Sequence, residues 1–223
     1  MLLLEKLTQE AIELLEKLFS SIPQIEKERI LKRLQSTVII SSESTSNFHG
    51  NYILLDPPML IESKIYERPI RLYMSNPERK RLFFSKLFHE LMHISSISDL
   101  ILVDSNTYMY NWGICSTQYT FVQDAVSSKV FRENNFLNEL LTDLAAEYCF
   151  STTIGQKFWS ETFINPLIQL CGFSSIKQLG DLTIAYMNVD AGKLNHLLFA
   201  QTNLSTFNEI EQACKQIKYS RKN

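Results

Sequence analysis

Two histidines four residues apart, with a glutamate between them, constrain this chain more than any other feature: His89-Glu90-Leu91-Met92-His93. A helix advances about 100° per residue, so such a pair projects from one face, about 6 Å apart along the axis. Both imidazoles then reach one ion, while Glu90 can sit beside it as a base without ligating. The flanks support a helix. Asn76 suits an N-cap, Pro77 suits the first helical position, and Leu87, Phe88, Leu91 and Met92 supply an apolar flank. Two histidines and a glutamate left unpaired on a mostly buried helix are costly, and a metal ion is one way of satisfying them. The plainer alternative is a solvated polar face.

Downstream the chain reads Asn138-Glu139-Leu140-Leu141-Thr142-Asp143. Glu139 and Asp143 again share a helical face. A catalytic zinc site takes three protein ligands and leaves one position to water, so two histidines lack one donor, which Glu139 can supply. A ligating imidazole gives its other N–H to a carboxylate, and Asp143 is spaced for that role. Taken alone, Glu-x-x-x-Asp is an ordinary exposed helix face. Its position after the histidine motif makes it specific.

The two motifs together, HELMH and NELLTD, resemble those of the gluzincin class of zinc metallopeptidases, to which thermolysin belongs. The resemblance implies that His89, His93 and Glu139 hold one Zn2+ per chain, that Glu90 polarises the attacking water, and that Asp143 orients His89. It covers the two motif helices and no more. Two departures stand out: the connection between the motifs is longer than in the thermolysin type, and no obvious counterpart of that type's transition-state histidine follows. His196, Tyr186 or one of the connection's tyrosines are candidates for the oxyanion-stabilising role. His196 on an apolar helix also reads as a structural residue, as does His49 in its turn.

Charge and composition exclude several classes. With 22 Lys+Arg against 24 Asp+Glu and no long basic stripe, nothing points to nucleic acid. Arg79-Lys80-Arg81 reads as a solvated helix start, and the basic tail Lys218 to Lys222 as a frayed end. No apolar stretch is long enough to span a membrane, and Glu5 interrupts the leading leucines too soon for a signal-peptide core. The expectation is a cytoplasmic protein. Cys115, Cys149, Cys171 and Cys214 form no C-x-x-C pair and read as free thiols, the alternative being two disulfides in an exported protein.

A hydrophobic fraction of 45% over 223 residues suffices for one domain or two closely packed lobes. Helical spacing predicts helices over Thr8–Ser20 and Ile25–Gln35. β-like runs follow at Thr37–Ile40, Asn51–Leu55 and Pro69–Met74, the last a candidate peptide-binding edge strand. Between the motifs, Thr107–Trp112 and Gln118–Val122, broken by Gly113, could pair as a hairpin over the cleft. Its aromatics, Tyr108, Tyr110, Trp112, Tyr119 and Phe121, could face substrate or pack the segment onto the body. After the second motif, helices are expected near Gln156–Leu170, Ser174–Met187, Ala191–Gln201 and Thr206–Tyr219, with Gly155 and Gly172 as C-terminal stops.

The fold class expected is α+β and zincin-like. A mixed N-terminal lobe, 1–95, carries a small β-sheet and ends in the HExxH helix; a long active-site connection spans 96–134; a mainly helical C-terminal lobe, 135–223, carries the third ligand. The function expected is a zinc-dependent metallopeptidase acting on a peptide or protein substrate, without nucleic acid or membrane. A protease cleaving a single regulatory protein shares that chemistry. The rival from another class is a non-catalytic zincin-fold protein that binds peptides or regulates. Specificity and oligomeric state have no motif to report them.

Overall fold

Ala11, Leu15 and Phe19 recur every fourth residue of the first helix and all three are buried, which gives that helix one apolar stripe. The computed structural model describes residues 3–35, 38–41, 60–63, 77–98, 101–104, 107–122, 125–132, 134–155, 165–173 and 175–220. Their order is α1 (Leu3–Ser20), α2 (Lys27–Gln35), β1 (Val38–Ser41), β2 (Leu60–Ser63), α3 (Pro77–Ser95), then β3 (Ile101–Asp104), β4 (Thr107–Trp112), β5 (Cys115–Val122) and β6 (Ala125–Arg132). There follow α4 (Asn135–Ile154), α5 (Pro166–Cys171), α6 (Ile176–Met187), α7 (Ala191–Thr202) and α8 (Phe207–Ser220). The chain is α+β and mainly helical. No described helix is long and apolar enough to cross a membrane.

Helix α4 is the centre of the molecule. Leu137, Leu141, Leu144, Ala145, Ala146, Cys149 and Phe150 are buried on several sides of it, and it packs against α1, α3, α5, α6 and α8. A helix apolar on so much of its circumference is stable only when wrapped by others. Its partner α3 meets it through Phe88 edge-on to Phe150, centroids 5.7 Å apart, and through the Cys149 thiol 3.7 Å from the Met92 sulfur. The N-terminus of α4 has no side-chain cap of its own; instead Glu211 of α8 accepts from the Leu137 N–H at 3.0 Å, which places a carboxylate at the positive end of the helix. Gly155 ends it at φ 72, donating to the Ser151 carbonyl, as its place in sequence predicts. Gly172 closes α5 in the same conformation.

The strands form two sheets. β1 and β2 are parallel, with Val38 opposite Leu60 and Ser41 opposite Ser63. β2 is a strand that the sequence reading passed over: Leu60-Ile61-Glu62-Ser63 is too short to show alternation. The expected strands at 51–55 and 69–74 and the helix start at 156–164 lie outside the described residues. The segment between the motifs is an antiparallel meander, β3-β4-β5-β6, where only a β4–β5 hairpin was expected. Gly113 makes the β4–β5 turn at φ 59, the positive φ such two-residue loops need. The turn is seated on the end of α3: the Gly113 N–H donates to the Ser96 carbonyl at 2.9 Å, and Ile97 bridges to Trp112.

Buried side chains from α1 to α8 form one hydrophobic cluster. Arg29 of α2 ties two parts of it together, its guanidinium donating to the carbonyls of Ser95 at the end of α3, of Ile97 just beyond it, and of Met187 at the end of α6. Cationic groups at helix C-termini satisfy carbonyls that have no partner in the helix. All four cysteines are buried free thiols; burial pushes those of Cys171 and Cys214 up to about 12 and Cys149 further.

Candidate metal centre

α3 and α4 lie side by side, and their motif faces meet. His89 and His93 come from the last turns of α3 and Glu139 from the second turn of α4. The two Nε2 atoms are 3.0 Å apart, and each is 3.4 Å from the same carboxylate oxygen, Oε2 of Glu139. Donors at zinc-ligand distances of about 2.1 Å in a tetrahedral set are separated by roughly 3.4 Å. The three atoms therefore form one face of a tetrahedron of the right size, with the histidine pair drawn slightly inward. Among the described residues this is the group of histidine, cysteine and acidic side chains able to hold a metal ion.

Proton bookkeeping around the rings shows what the arrangement lacks. Asp143 Oδ1 lies 2.8 Å from His89 Nδ1, and a carboxylate can only accept, so Nδ1 carries the hydrogen and the neutral ring turns a bare Nε2 inward. On the other ring, Thr142 Oγ1 lies 3.2 Å from His93 Nδ1. Two ring nitrogens and a carboxylate oxygen then converge with lone pairs facing one another, which is unfavourable without a cation between them. Without a metal, a proton shared between the two Nε2 atoms, 3.0 Å apart, relieves that repulsion. Burial pushes the His89 imidazole down, but Asp143 and Glu139 accepting its hydrogens, with the charges of Asp143 and Glu90, raise it to about 10. Burial pushes the Glu139 carboxyl up, yet the two imidazoles hold it well below the usual carboxylate range. A donor set that gathers positive charge so strongly fits a divalent cation.

The cluster opens to solvent on one side. The His89 and His93 side chains are 19% and 12% exposed, whereas Glu139 is 39% exposed. Trp112 closes the His93 side, its ring tilted at 51° and 4.9 Å from the imidazole. Glu90 is half-buried on α3, and its charge acts on His89.

Behind His93 lies a polar network that the sequence reading did not foresee. The Thr142 hydroxyl donates to the Asn138 carbonyl at 2.8 Å and meets the Tyr186 hydroxyl at 2.6 Å. Ser96 Oγ reaches both the His93 carbonyl at 2.9 Å and Tyr186 at 3.2 Å. Tyr186, one of the oxyanion candidates, is thus fully buried on the far side of His93 from the ligand atoms. His196, the other named candidate, is exposed on α7. Of the network, Thr142 and Ser96 have a signal in sequence: Thr142 stands three residues after Glu139 on the same helix, and Ser96 three residues after His93. Tyr186 and Trp112 arrive from other elements. Gly113 also belongs here, because a Cβ on it would stand 2.1 Å from the Tyr186 ring and 2.4 Å from Asn138 Oδ1.

Comparison with protein-family models, with curated proteins and with solved structures finds no match. The case for function rests on the cluster and its surroundings.

Proposed function

We propose that this chain is a zinc-dependent metallopeptidase of zincin type, with His89, His93 and Glu139 as ligands, Asp143 orienting His89 and Glu90 as general base. The observation that carries the reading is the convergence of three ligand atoms at tetrahedral spacing, joined by no fourth histidine, cysteine or acidic side chain among the described residues. A structural zinc site is closed by four protein ligands, whereas a hydrolytic one keeps a position free. Bound zinc supplies Lewis acidity, bringing the pKa of a water in that position to about 7.

Glu90 follows His89 directly, is half-buried and acts by its charge on His89 without belonging to the cluster, which supports it as the base that takes a proton from water and passes it to the leaving amine. A metal centre serving structure alone has no use for a carboxylate there, which favours hydrolysis over a non-catalytic peptide-binding role. The His₂Glu set binds other divalent ions as well, so zinc is proposed on ligand type.

The deciding experiment is metal content by mass spectrometry on untagged protein, native against Glu139→Ala, followed by cleavage of a panel of unrelated peptides by native and Glu90→Gln protein. About one zinc per native chain, largely lost in Glu139→Ala, and turnover abolished in Glu90→Gln with metal retained, are the expected results. Native protein that takes up no metal when zinc is offered would end the peptidase reading. Full turnover by Glu90→Gln would remove Glu90 as the base.

A further inference from the structure

The Thr142 hydroxyl has one hydrogen and two lone pairs, and three groups compete for them. The Asn138 carbonyl, 2.8 Å away and one helical turn back, can only accept, so it takes the Thr142 hydrogen. The Tyr186 hydroxyl at 2.6 Å is the shortest contact, and because the Thr142 hydrogen is already committed to Asn138, this contact is a hydrogen bond only with Tyr186 as the donor. Burial pushes the Tyr186 phenol far above its ordinary value, so it stays protonated and remains a donor. One lone pair on Thr142 is then left, and it faces His93 Nδ1 at 3.2 Å. Only a donor can use it. His93 must carry its hydrogen on Nδ1, which bares Nε2 toward Glu139 and His89.

We propose that Tyr186 is a positioning residue for His93, acting through Thr142: the buried phenol fills one lone pair of the Thr142 hydroxyl and so fixes the imidazole as the Nδ1–H tautomer with Nε2 free to ligate. This deepens the reading of the cluster as a metal centre and rests on it. Tyr186 is thereby withdrawn from the oxyanion-stabilising role and given one behind the ligand. The arrangement is rigid because each member is fixed from elsewhere. Thr142 and Asn138 sit on α4, Ser96 follows the last residue of α3, and the Gly113 turn abuts the Tyr186 ring. Loss of the phenolic hydrogen frees a lone pair on Thr142 and weakens the constraint. Loss of the Thr142 hydroxyl leaves the Nδ1 hydrogen without an acceptor, so the ring gains by moving its hydrogen to Nε2, where it competes with the metal.

The test measures zinc affinity by competition with a chromophoric chelator, together with the His93 Nδ1 proton resonance of the zinc-loaded protein by NMR with selectively labelled histidine. Thr142→Val is expected to weaken zinc binding about ten- to a hundredfold and to abolish the protected Nδ1 proton signal. Thr142→Ser, which keeps the hydroxyl, is expected to restore both. Tyr186→Phe, which keeps the ring and its packing, falls between them, with zinc binding weakened and the Nδ1 proton exchanging faster with solvent. Unchanged affinity and an unchanged Nδ1 proton in folded Tyr186→Phe would overturn the proposal, whatever that variant does to thermal stability. Native protein that binds no zinc at all would instead overturn the metal-centre reading beneath it.

Discussion

His89 and His93 face one point, but Asp143 holds the first as a charged, quarter-exposed carboxylate, whereas Thr142 holds the second as a neutral, fully buried hydroxyl backed by Tyr186. The two sides do the same work by different physics. On the His89 side the hold is electrostatic and near water, so it responds to pH and salt. On the His93 side it depends on packing, because a hydroxyl constrains a ring only if its other hydrogen bonds are occupied. Damage to α6 or to the β4–β5 turn therefore reaches His93 and spares His89.

Gly113→Ala should have the largest effect, and on the His93 side alone. Its Cβ would collide with the Tyr186 ring and Asn138 at a residue held at φ 59. A loss of about 3 kcal/mol or more in urea unfolding is expected. A loss below about 0.5 kcal/mol would mean that the turn does not bear on Tyr186 at all. Next comes the opposite side: Asp143→Asn should weaken zinc binding about ten- to a hundredfold. If the loss appeared in stability and left affinity alone, the division between the two sides would fail.

A smaller effect separates them by pH. In chelator-treated protein the His89 pKa is raised from 6.5 to about 10, so its contribution to stability is fully present below about pH 6.5 and is lost as pH rises through about 10. The urea midpoint of metal-free protein should accordingly fall between pH 6.5 and pH 10, and Asp143→Asn should flatten that slope. Equal slopes in the two proteins would show that Asp143 does not set the charge of His89. The smallest effect is at His196, exposed on α7: His196→Ala should change stability by less than about 0.5 kcal/mol and leave metal content intact. If peptide cleavage nevertheless fell sharply, His196 would regain the transition-state role.

Much of the candidate ligand set was legible because helical spacing is local. Residues four apart share a face wherever a helix forms, so His89 with His93, and Glu139 with Asp143, could be paired before any tertiary contact was known. Stops were legible for the same reason: Gly155 and Gly172 take the left-handed conformation that glycine tolerates and other residues resist. Strands were harder. β2 is four residues long, and the meander's outer strands pair with neighbours that no local period announces.

The sequence by itself determined which side chains could ligate, which helix faces they occupied and where those helices stopped, since each depends on residues within a turn or two. Only the tertiary structure decided that the two faces meet with their ligand atoms 3.0 and 3.4 Å apart, that Tyr186 lies behind His93, and that Trp112 covers its ring. Those placements follow from how α3, α4, α6 and the β4–β5 turn pack around a shared core. Packing of that kind depends on the shapes of side chains far apart in the chain, which a one-dimensional pattern does not carry.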